Sequence, residues 1–434
     1  MQREVLGASV IIPTRNRCHR LRQTLDSLGR QTFPSTDFEV IVVADGCQDE
    51  TAEMVSDYQA SYDLHLVDQP NQGPAAARNN GAAKARGQLL IFIDDDIEAT
   101  PTLVEAHLLA HWRRPGGVVI GYLPPVLYQQ KGFFRATLRG WWENMFDRMR
   151  ERGHRFTYTD LLSGNFSLPV ELFNSINGFD VSFTCHEDFE LGVRLQKVGA
   201  SFSFAPNAMG YHHELTDLNR VFQRKYAEGE ADVQLGTRHP ELRSDLLMAR
   251  LYHYARLPSR FMSFWVFNWP QVSDTLARLF QQGLTLYEWV RARRLWQRTV
   301  DGLMAYWYWR GVGQELESWQ AVSKFLTEVA GRSEEVAEAE LELDISWGLE
   351  TAEQLLDEIG PAGAFIRFGT QPVGRIEPQP GAERLQGVHL RRILATDLSV
   401  PFVRALVLSS VITALTDQDA LIATCEGGTD RRKA

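Results

Sequence analysis

The chain contains 434 residues, of which 44% are hydrophobic and 23% are charged, a balance typical of globular proteins with more than one folding unit. Its formal net charge of −10 argues against nucleic acid as the main partner, because phosphate backbones are bound by clustered lysine and arginine. A small phosphorylated ligand stays compatible with this charge, since a local site can be positive or bridged by a metal ion.

The first part of the chain alternates short apolar runs with helical patterns, which is typical of an α/β sheet. The predicted strands are Ala8–Ile12, Phe38–Ala44, Leu64–Val67 and Leu89–Ile93, and the predicted helices are Arg17–Gln31, Glu50–Tyr58 and Pro74–Arg86. Thr100 and Pro101 are expected to open a further helix. Two of these strands end in acidic residues, Asp45 and Asp94–Asp96. Ligands of open α/β sheets bind beyond the carboxyl ends of the strands, so these acids lie where a ligand is expected.

The rest of the chain changes character twice, which predicts three parts: residues 1–215, a helical extension over 216–335, and a small α+β domain over 336–434. After a run of glutamates, the last part is predicted to contain a strand, a helix at Leu349–Ile359, strands at Ala364–Phe368 and Val373–Ile376, and two apolar helices. In the extension, the aromatic run Tyr306–Trp309 fits a membrane-interfacial patch or packing between helices, and packing is favoured.

Four scattered cysteines, Cys18, Cys47, Cys185 and Cys425, form no CxxC pair, which is typical of reduced thiols in the cytosol. The N-terminus lacks a signal-peptide pattern, and no apolar run is long enough to span a bilayer. We therefore predict a cytoplasmic protein and leave open both peripheral contact with the inner membrane face and self-association.

Three consecutive carboxylates, Asp94, Asp95 and Asp96, follow the fourth strand. Neighbouring carboxylates repel one another, and Mn²⁺ or Mg²⁺ relieves that repulsion while bridging to phosphates. Along an extended segment, residues two apart point the same way, so Asp94 and Asp96 are predicted to share one site. A solvated acidic turn is the alternative, and the wholly apolar strand before these acids favours the metal site.

Six segments resemble, in the same order, motifs of the family 2 glycosyltransferases, which have the GT-A fold. They are SVIIPTRNR from Ser9, VVADGCQD from Val42, the long segment from Asn71 to Asp96, GNFS from Gly164, NGFD with HEDFELGVRL, and PNAMGYH from Pro206. The resemblance covers about residues 8–215 and departs from the family pattern at Ala44 and Cys47. It implies an α/β GT-A domain that binds a nucleotide-sugar donor and a divalent cation.

The resemblance also implies a role for each matched residue. Contacts with the nucleotide-sugar are implied for Pro13, Thr14, Arg15, Asp45, Arg78, Asp94 and Asp95. Asp96 is the implied metal ligand and His212 a further one, with the adjacent His213 as a rival. The base pocket most often holds uracil in this family, so a UDP-sugar is the expected donor.

The acceptor side of the site is implied by the later motifs. Asp188 is the implied catalytic base, although an acid in the first turn of a helix also stabilises the helix by up to ~1 kcal/mol. Glu187 and Asn165 are implied to place the donor sugar or the acceptor. Trp142 is a candidate for stacking on a sugar, but its neighbour Trp141 points elsewhere around the predicted helix, so one of the two belongs to the core.

These features predict an inverting glycosyltransferase that moves a sugar to a hydroxyl group of a glycan or lipid-linked acceptor. Inversion needs one base, and a cation can absorb the charge of the leaving diphosphate, whereas a glycosidase needs two flanking carboxylates. The motifs GxGxxG, GxxxxGK[ST] and HExxH, typical of dehydrogenases, P-loop NTPases and zinc hydrolases, do not occur at the required places. Two alternatives stay open: a retaining transferase, and a degenerate domain that binds a glycan or a protein partner.

Overall fold

The structure of the protein, a computed structural model, describes residues 7–127, 132–253, 264–328 and 341–411. The chain forms two compact units, one drawn from Met1–Arg150 with Phe156–Gly331 and the other from Glu151–Arg155 with Arg332–Ala434. The predicted boundary at residue 215 lies inside the first unit, whereas the one at residue 335 lies close to the change between units. A catalytic part that ends at residue 215 stays a prediction.

The first unit contains an eight-stranded sheet in the order β3-β2-β1-β4-β7-β6-β8-β5. Its strands are β1 (Ala8–Thr14), β2 (Phe38–Asp45), β3 (Asp63–Gln69), β4 (Leu89–Ile93), β5 (Ile97–Ala99), β6 (Val118–Tyr122), β7 (Asn165–Pro169) and β8 (Phe202–His212). Strands β1 to β4 pair with one another in parallel, and β7 runs antiparallel to β4 and β6. This topology confirms the predicted α/β class.

Seven helices accompany this sheet in the described residues. They are α1 (Cys18–Leu28), α2 (Thr51–Ser56), α3 (Pro74–Lys84), α4 (Leu103–Arg113), α5 (Gly132–Arg150), α6 (Val170–Ser175) and α7 (Glu187–Lys197). Helix α4 begins later than Thr100, because the backbone N–H and hydroxyl of Thr100 both donate to the Met209 carbonyl in β8, at 3.0 and 2.7 Å. The sequence signal for a helix start there was therefore two residues early.

The central strands are buried on both faces, which explains their uninterrupted apolar sequences. Small residues allow α3 to approach the sheet closely. A methyl group at Gly81 would lie 2.5 Å from a side-chain carbon of Ile11 and 3.1 Å from one of Val43. This close packing brings Arg78, on the same helix, down to the carboxyl end of β4.

The helical extension shares a hydrophobic core with the sheet-bearing part of the first unit. Its helices are α8 (Leu218–Arg238), α9 (Leu247–His253), α10 (Pro270–Trp289), α11 (Arg293–Leu316) and α12 (Trp319–Thr327). Trp296, Tyr308 and Trp309 of α11 belong to the same core cluster as Phe183 and Val193 from around α7. Tyr306, Tyr308 and Trp309 are buried, which confirms that the aromatic run packs between helices.

The second unit is a small α+β domain, as predicted. It contains β9 (Leu341–Asp344), α13 (Leu349–Ile359), β10 (Ala364–Phe368), β11 (Gln371–Ile376), α14 (Gly387–Ala395) and α15 (Ser399–Val411). Strand β10 pairs with β9 in parallel and with β11 in antiparallel orientation. Arg155 belongs to this unit because its guanidinium donates to the carbonyls of Glu383 and Ala362, at 2.8 and 3.0 Å. Most of the predicted glutamate run lies outside the described residues.

Among the described residues, no single helix has the length and apolar composition needed to cross a membrane. Helices α14 and α15 satisfy those criteria only as a pair, across a bend of 87°. Cys18, Cys47 and Cys185 carry free thiols, and Cys425 lies outside the described residues.

Candidate active site

The acidic run after β4 forms a turn, and this turn separates its side chains. The backbone N–H of Ile97 donates to the Asp94 carbonyl at 3.3 Å, and that of Asp94 donates to the Gly164 carbonyl at 3.2 Å. Asp94 consequently points toward Arg78, whereas Asp95 and Asp96 both face Arg17. The alternation of a strand does not extend into this turn, so Asp94 and Asp96 pair with different arginines, although the charge of Asp94 still contributes to the raised pKa of Asp96. A site shared by the two stays a prediction.

Arg17 neutralises two of the three acids and was missed by sequence reasoning. Its Nη1 lies 2.9 Å from Oδ1 of Asp95 and 2.8 Å from Oδ2 of Asp96. The neighbouring Asn16 has a φ of 53°, and after this turn the guanidinium of Arg17 reaches Asp95 and Asp96, although both Arg15 and Arg17 are exposed. The sequence contains basic residues at both positions, so only the backbone conformation distinguishes them.

Asp95 is the most enclosed acid of the run. Thr14 donates to its Oδ2 at 2.7 Å, and its backbone carbonyl accepts from the Thr24 hydroxyl at 2.9 Å. Burial raises the pKa of Asp95 to about 6, against the opposing effect of Arg17 and with a contribution from Asp96. Thr14 therefore lies in the site as predicted, and Pro13 is a partly buried neighbour in β1.

Asp96 and His212 form a pair whose donor atoms suit a divalent cation. The Oδ1 atom of Asp96 lies 3.6 Å from Nε2 of His212. Within the described residues, that buried Oδ1 has no hydrogen-bond partner, and neither does Nδ1 of His212. Burial raises the pKa of Asp96, which is a cost that a bound cation would remove. Carboxylate oxygen and imidazole nitrogen are both metal donors, so these residues fit the implied cation.

Side-chain direction, not strand register, distinguishes the two adjacent histidines, because the backbone N–H of His213 donates to the Asp96 carbonyl at 3.0 Å while the ring of His212 faces the Asp96 carboxylate. Strand β5 pairs antiparallel with β8 and sets Ile97 opposite His212. The ring of His213 points to the other side, where its Nε2 lies 3.1 Å from a carboxylate oxygen of Glu98. The geometry therefore favours His212 over His213 as a ligand.

Trp142 lies beside this pair. Its ring meets that of His212 edge to face at 5.0 Å between centroids, and it stacks on Phe146 at 6.1 Å. Its indole N–H donates to Glu214, whose carboxylate is 3.9 Å from Nδ1 of His212. Trp141 is more exposed. Trp142 is thus the member of the tryptophan pair that borders the candidate site.

Arg78 connects the acidic turn to the start of α7. Its Nη2 donates to Oδ1 of Asp94 at 2.8 Å, and its Nη1 donates to Oε1 of Glu187 at 3.0 Å. The guanidinium also lies over the ring of Phe179, 5.6 Å from its centroid. Burial and the neighbouring Asp188 raise the pKa of Glu187, while Arg78 opposes this. The implied contact between Arg78 and a nucleotide stays a prediction.

The first turn of α7 holds Asp188 in a defined orientation. Its Oδ2 accepts from the backbone N–H of Ser163 at 3.1 Å, and its Oδ1 accepts from that of Phe189 at 3.0 Å. The N-cap of this helix, His186, has a φ of 60°, a left-handed conformation that is costly for a residue other than glycine. Such strain persists where the surroundings impose it, as they do here.

Those surroundings are helices of the extension. The Nδ1 atom of His186 lies 3.2 Å from Oδ1 of Asp232 in α8, and its ring stacks on Phe189 at 4.4 Å. Asp232 in turn accepts a 2.5 Å hydrogen bond from the Tyr308 hydroxyl in α11. Burial lowers the pKa of His186, but the contact with Asp232 outweighs it, so the pKa of His186 is raised. Sequence reasoning found no signal for this support.

Two other predicted site residues have internal roles. The carboxylate of Asp45 accepts from the side chain of Gln69 at 2.8 Å and from the backbone N–H groups of Gln72 and Gly73 at 2.7 and 2.9 Å, so it holds the loop before α3. Asn165 is fully buried, and its amide contacts His107 and the Ala208 carbonyl at 2.8 and 2.9 Å. The structure does not place Asn165 where a sugar could reach it.

A second group of potential metal ligands, Glu39, Asp63 and His65, lies at the amino ends of β2 and β3. Arg86 already occupies it, because its Nε donates to Glu39 at 2.8 Å and its guanidinium also pairs with Asp63. A guanidinium in that position supplies the positive charge that a cation would bring. This group lies at the opposite end of the strands from Asp96 and His212.

Comparison with known proteins gives these observations a context. Residues 9–176 match the family described as Glycosyl transferase family 2. The chain is 34% identical over 239 residues to a validoxylamine A glucosyltransferase of Streptomyces hygroscopicus subsp. jinggangensis, an alignment that covers 48% of this chain and 56% of that protein. It is 27% identical over 247 residues to a pre-mycofactocin glycosyltransferase of Mycobacterium tuberculosis, with 56% and 50% covered. The chain thus spans about half the length of these curated relatives.

Among solved structures, a mannosyltransferase from Pyrobaculum calidifontis in complex with GDP-Man and Mn²⁺ aligns over 72% of this chain and 89% of its own. The TM-score is 0.48 and the sequence identity is 18%. The matched family range contains the acidic turn and Arg78, whereas Asp188 and His212 lie beyond its end at residue 176.

Proposed function

We propose that this chain, whose residues 9–176 form a domain of glycosyl transferase family 2, transfers a sugar from a nucleoside-diphosphate donor to a hydroxyl group of a glycan or lipid-linked acceptor. The observation that carries the proposal is the bridge by Arg78 between Asp94 and Glu187. Through it, the acids at the end of β4 and the first turn of α7, with Asp188, border one site. In this proposal Asp188 is the base and Asp96 holds the cation, and the position of the acids at the carboxyl ends of parallel strands supports it.

Asp188 is the proposed base for an inverting reaction. A single carboxylate takes the proton of the acceptor hydroxyl as its oxygen attacks the anomeric carbon. The backbone N–H of Ser163 and the first turn of α7 orient this carboxylate before any ligand arrives. Asp188→Asn keeps the shape of the side chain and removes its basicity, so transfer is expected to fall by about a hundredfold or more while donor binding persists.

Asp96 and His212 are the proposed ligands of Mn²⁺ or Mg²⁺. A cation held there would stabilise the charge that develops on the leaving diphosphate. Arg17 pairs with both Asp95 and Asp96, and Thr14 donates to Asp95. A UDP-sugar is the proposed donor, because uracil is the base expected from the family resemblance.

The test is the melting temperature with UDP, with Mn²⁺ and with both, beside GDP and dTDP. A ligand that binds the native state at a hundredfold excess over its Kd adds about 2.7 kcal/mol to the free energy of unfolding. We expect an increase that requires UDP and Mn²⁺ together and that Asp96→Asn abolishes. The matched control is Asp63→Asn in the acidic group at the other end of the strands, which is expected to leave the increase unchanged.

The same experiment separates the proposal from its alternatives. If no nucleotide raises the melting temperature, the enzymatic proposal fails, and a domain that binds a glycan or a protein partner becomes the better account. If transfer occurs and the anomeric configuration of the donor sugar is retained in the product, the inverting mechanism and the role of Asp188 as base are wrong.

A further inference from the structure

The outward face of α10 carries a stripe of apolar side chains. No other part of the described structure packs against this stripe closely enough to bury it. Val272, Leu276, Leu279, Leu286 and Val290 lie on it, each between 44% and 58% exposed. At 100° per residue their spacing places them within a sector of about 80°. The helix is anchored by a different face, formed by the buried residues Ser273, Ala277 and Leu284.

Tryptophans lie at both ends of this helix. Trp269 immediately precedes α10 and is 55% exposed, and Trp289, its last residue, is 82% exposed. Phe280 flanks the stripe and is also exposed. Tryptophan has an apolar ring and a polar N–H, so it is favoured where hydrocarbon meets water.

Basic residues outnumber acidic residues around the stripe. Between residues 264 and 298 there are five arginines and two acids, in a chain whose net charge is −10. The two acids are already engaged, since Asp274 pairs with Arg310 at 2.8 Å and Glu288 accepts from the backbone N–H of Phe133 at 3.2 Å. Four of the arginines follow α10 closely, and all four are exposed: Arg291, Arg293, Arg294 and Arg298. Their positive charge is available to an external partner.

A groove opens beside the stripe. It has a volume of about 440 Å³ and runs between α10 and α11, with Leu276 and Phe280 on one wall and Leu303 and Tyr306 on the other. Leu276 and Phe280 thus belong to both the groove and the exposed surface. A groove of this size can receive part of an acyl chain or an apolar side chain.

We propose that this surface, the stripe of α10 together with the arginines 291–298, binds an anionic lipid membrane and lies in its interface. An amphipathic helix with large apolar residues, flanking tryptophans and arginines is the pattern that binds in this way. A second copy of the chain is a worse occupant, because pairing of like surfaces would bring the same arginines together without intervening acids. The proposal does not depend on sugar transfer.

The experiment is flotation of the full chain with vesicles of phosphatidylcholine, alone or mixed with anionic phosphatidylglycerol. Binding is expected for the anionic vesicles and is expected to weaken as salt is added. Arg293→Gln with Arg294→Gln should lower the partition coefficient about 25-fold, since each arginine near an anionic surface contributes about fivefold. Arg291, which has a φ of 55° and lies between the two helices, is left unchanged.

A second variant tests the apolar contribution. Leu276→Ser, Leu279→Ser and Leu286→Ser together should abolish flotation, and the exposure of all three side chains makes the fold tolerant of the change. The matched control is Trp112→Ser with Val198→Ser, which removes exposed apolar side chains elsewhere on the first unit and should bind like the wild type. Melting temperatures confirm that each variant is folded.

Brominated lipids locate the contact. They should quench the tryptophan fluorescence of the wild type, and the quenching should fall in Trp269→Phe with Trp289→Phe. The proposal is overturned if the wild type floats with neither vesicle, or if the control variant loses binding as the triple variant does. It is also overturned if the wild type dimerises without lipid and the triple serine variant does not, because a second copy then covers the stripe.

Discussion

At the scale of single residues, the candidate site concentrates negative charge where water is excluded. Asp95 is buried, accepts from Thr14 and contacts Arg17, and burial raises its pKa to about 6. A carboxyl group whose folded pKa exceeds the unfolded value binds a proton more tightly in the native state. Its contribution to stability is therefore present at low pH and is lost as the pH rises from about 4 to about 6. At neutral pH the buried negative charge of this site favours the binding of a cation.

Asp95→Asn tests this charge. In the presence of a chelator, the variant is expected to gain stability relative to the wild type as the pH rises through that window, by up to about 3 kcal/mol. The reason is that asparagine needs no proton to stay neutral. The measurement is the difference in melting temperature between the two proteins across the pH range. The control variant is Asp57→Asn, which changes an exposed acid. If the difference in melting temperature between Asp95→Asn and the wild type does not change with pH, the raised pKa of Asp95 is contradicted.

At the scale of elements, α8 and α11 cross with almost no side chain between them. A methyl group at Gly229 would lie 2.1 Å from the Tyr308 carbonyl, and one at Gly311 would lie 1.9 Å from the Tyr226 carbonyl. Glycine is required at both positions because the backbones themselves are in contact. This crossing brings Tyr308 of α11 to Asp232 of α8, which pairs with His186 at the start of α7.

Gly311→Ala should destabilise the protein by about 3 kcal/mol or more, because the added methyl group forces the two helices apart. Gly302 on the same helix is the matched control, since a methyl group there meets nothing within 4 Å. Gly302→Ala should instead add about 0.5–1 kcal/mol, as alanine favours the helix. Chemical denaturation of the two variants measures both effects, and equal stabilities would show that the two helices can separate at little cost.

Asp232→Asn should loosen the first turn of α7. The raised pKa of His186 means that the stability it contributes is present below its unfolded pKa of about 6.5 and is lost as the pH rises through the folded pKa. The variant should therefore differ most from the wild type at low pH. We also expect turnover to fall about tenfold with little change in donor affinity, because Asp188 follows His186 by two residues.

Tyr308→Phe is the matched control for that variant. It removes the hydroxyl that donates to Asp232 and leaves the contact between Asp232 and His186 in place. Its effect on turnover should be smaller than that of Asp232→Asn. A pH-independent loss of stability in Asp232→Asn would contradict the role of His186.

At the scale of the whole molecule, every candidate site residue lies in the first unit. That unit depends on its helical extension, because Phe183 and Val193 share a core cluster with Trp296 and Trp309. Arg155 and its neighbours belong to the second unit although they follow α5 in the chain. The two units are therefore interleaved in sequence. A chain truncated between them separates residues 151–155 from the rest of the second unit.

A chain that ends at residue 331 should fold and keep the increase in melting temperature with UDP and Mn²⁺, because it contains the whole first unit. A chain that ends at residue 215 should aggregate, since the apolar residues around α7 lose the core they share with α8 and α11. Size-exclusion chromatography and the thermal assay distinguish the two. A folded, nucleotide-binding chain of 215 residues would show that the extension is dispensable.

The sequence by itself determined the elements and their class. Strand β4 at Leu89–Ile93, helix α13 at Leu349–Ile359 and strand β10 at Ala364–Phe368 lie where the patterns predicted them, because apolar periodicity reflects local burial. The order of the motifs along the chain likewise indicated the family that residues 9–176 match. These signals depend on residues that are close together in the sequence, so they can be recognised without the structure.

Only the tertiary structure decided which side chains meet. The side-chain directions at the end of β8 select His212 over His213, the turn at Asn16 selects Arg17 over Arg15, and the core around β7 encloses Asn165. Each outcome depends on contacts between segments that are distant in sequence, and local composition contains no information about them. The link from Tyr308 to His186 was not predicted for the same reason, since it joins residues from helices more than a hundred positions apart.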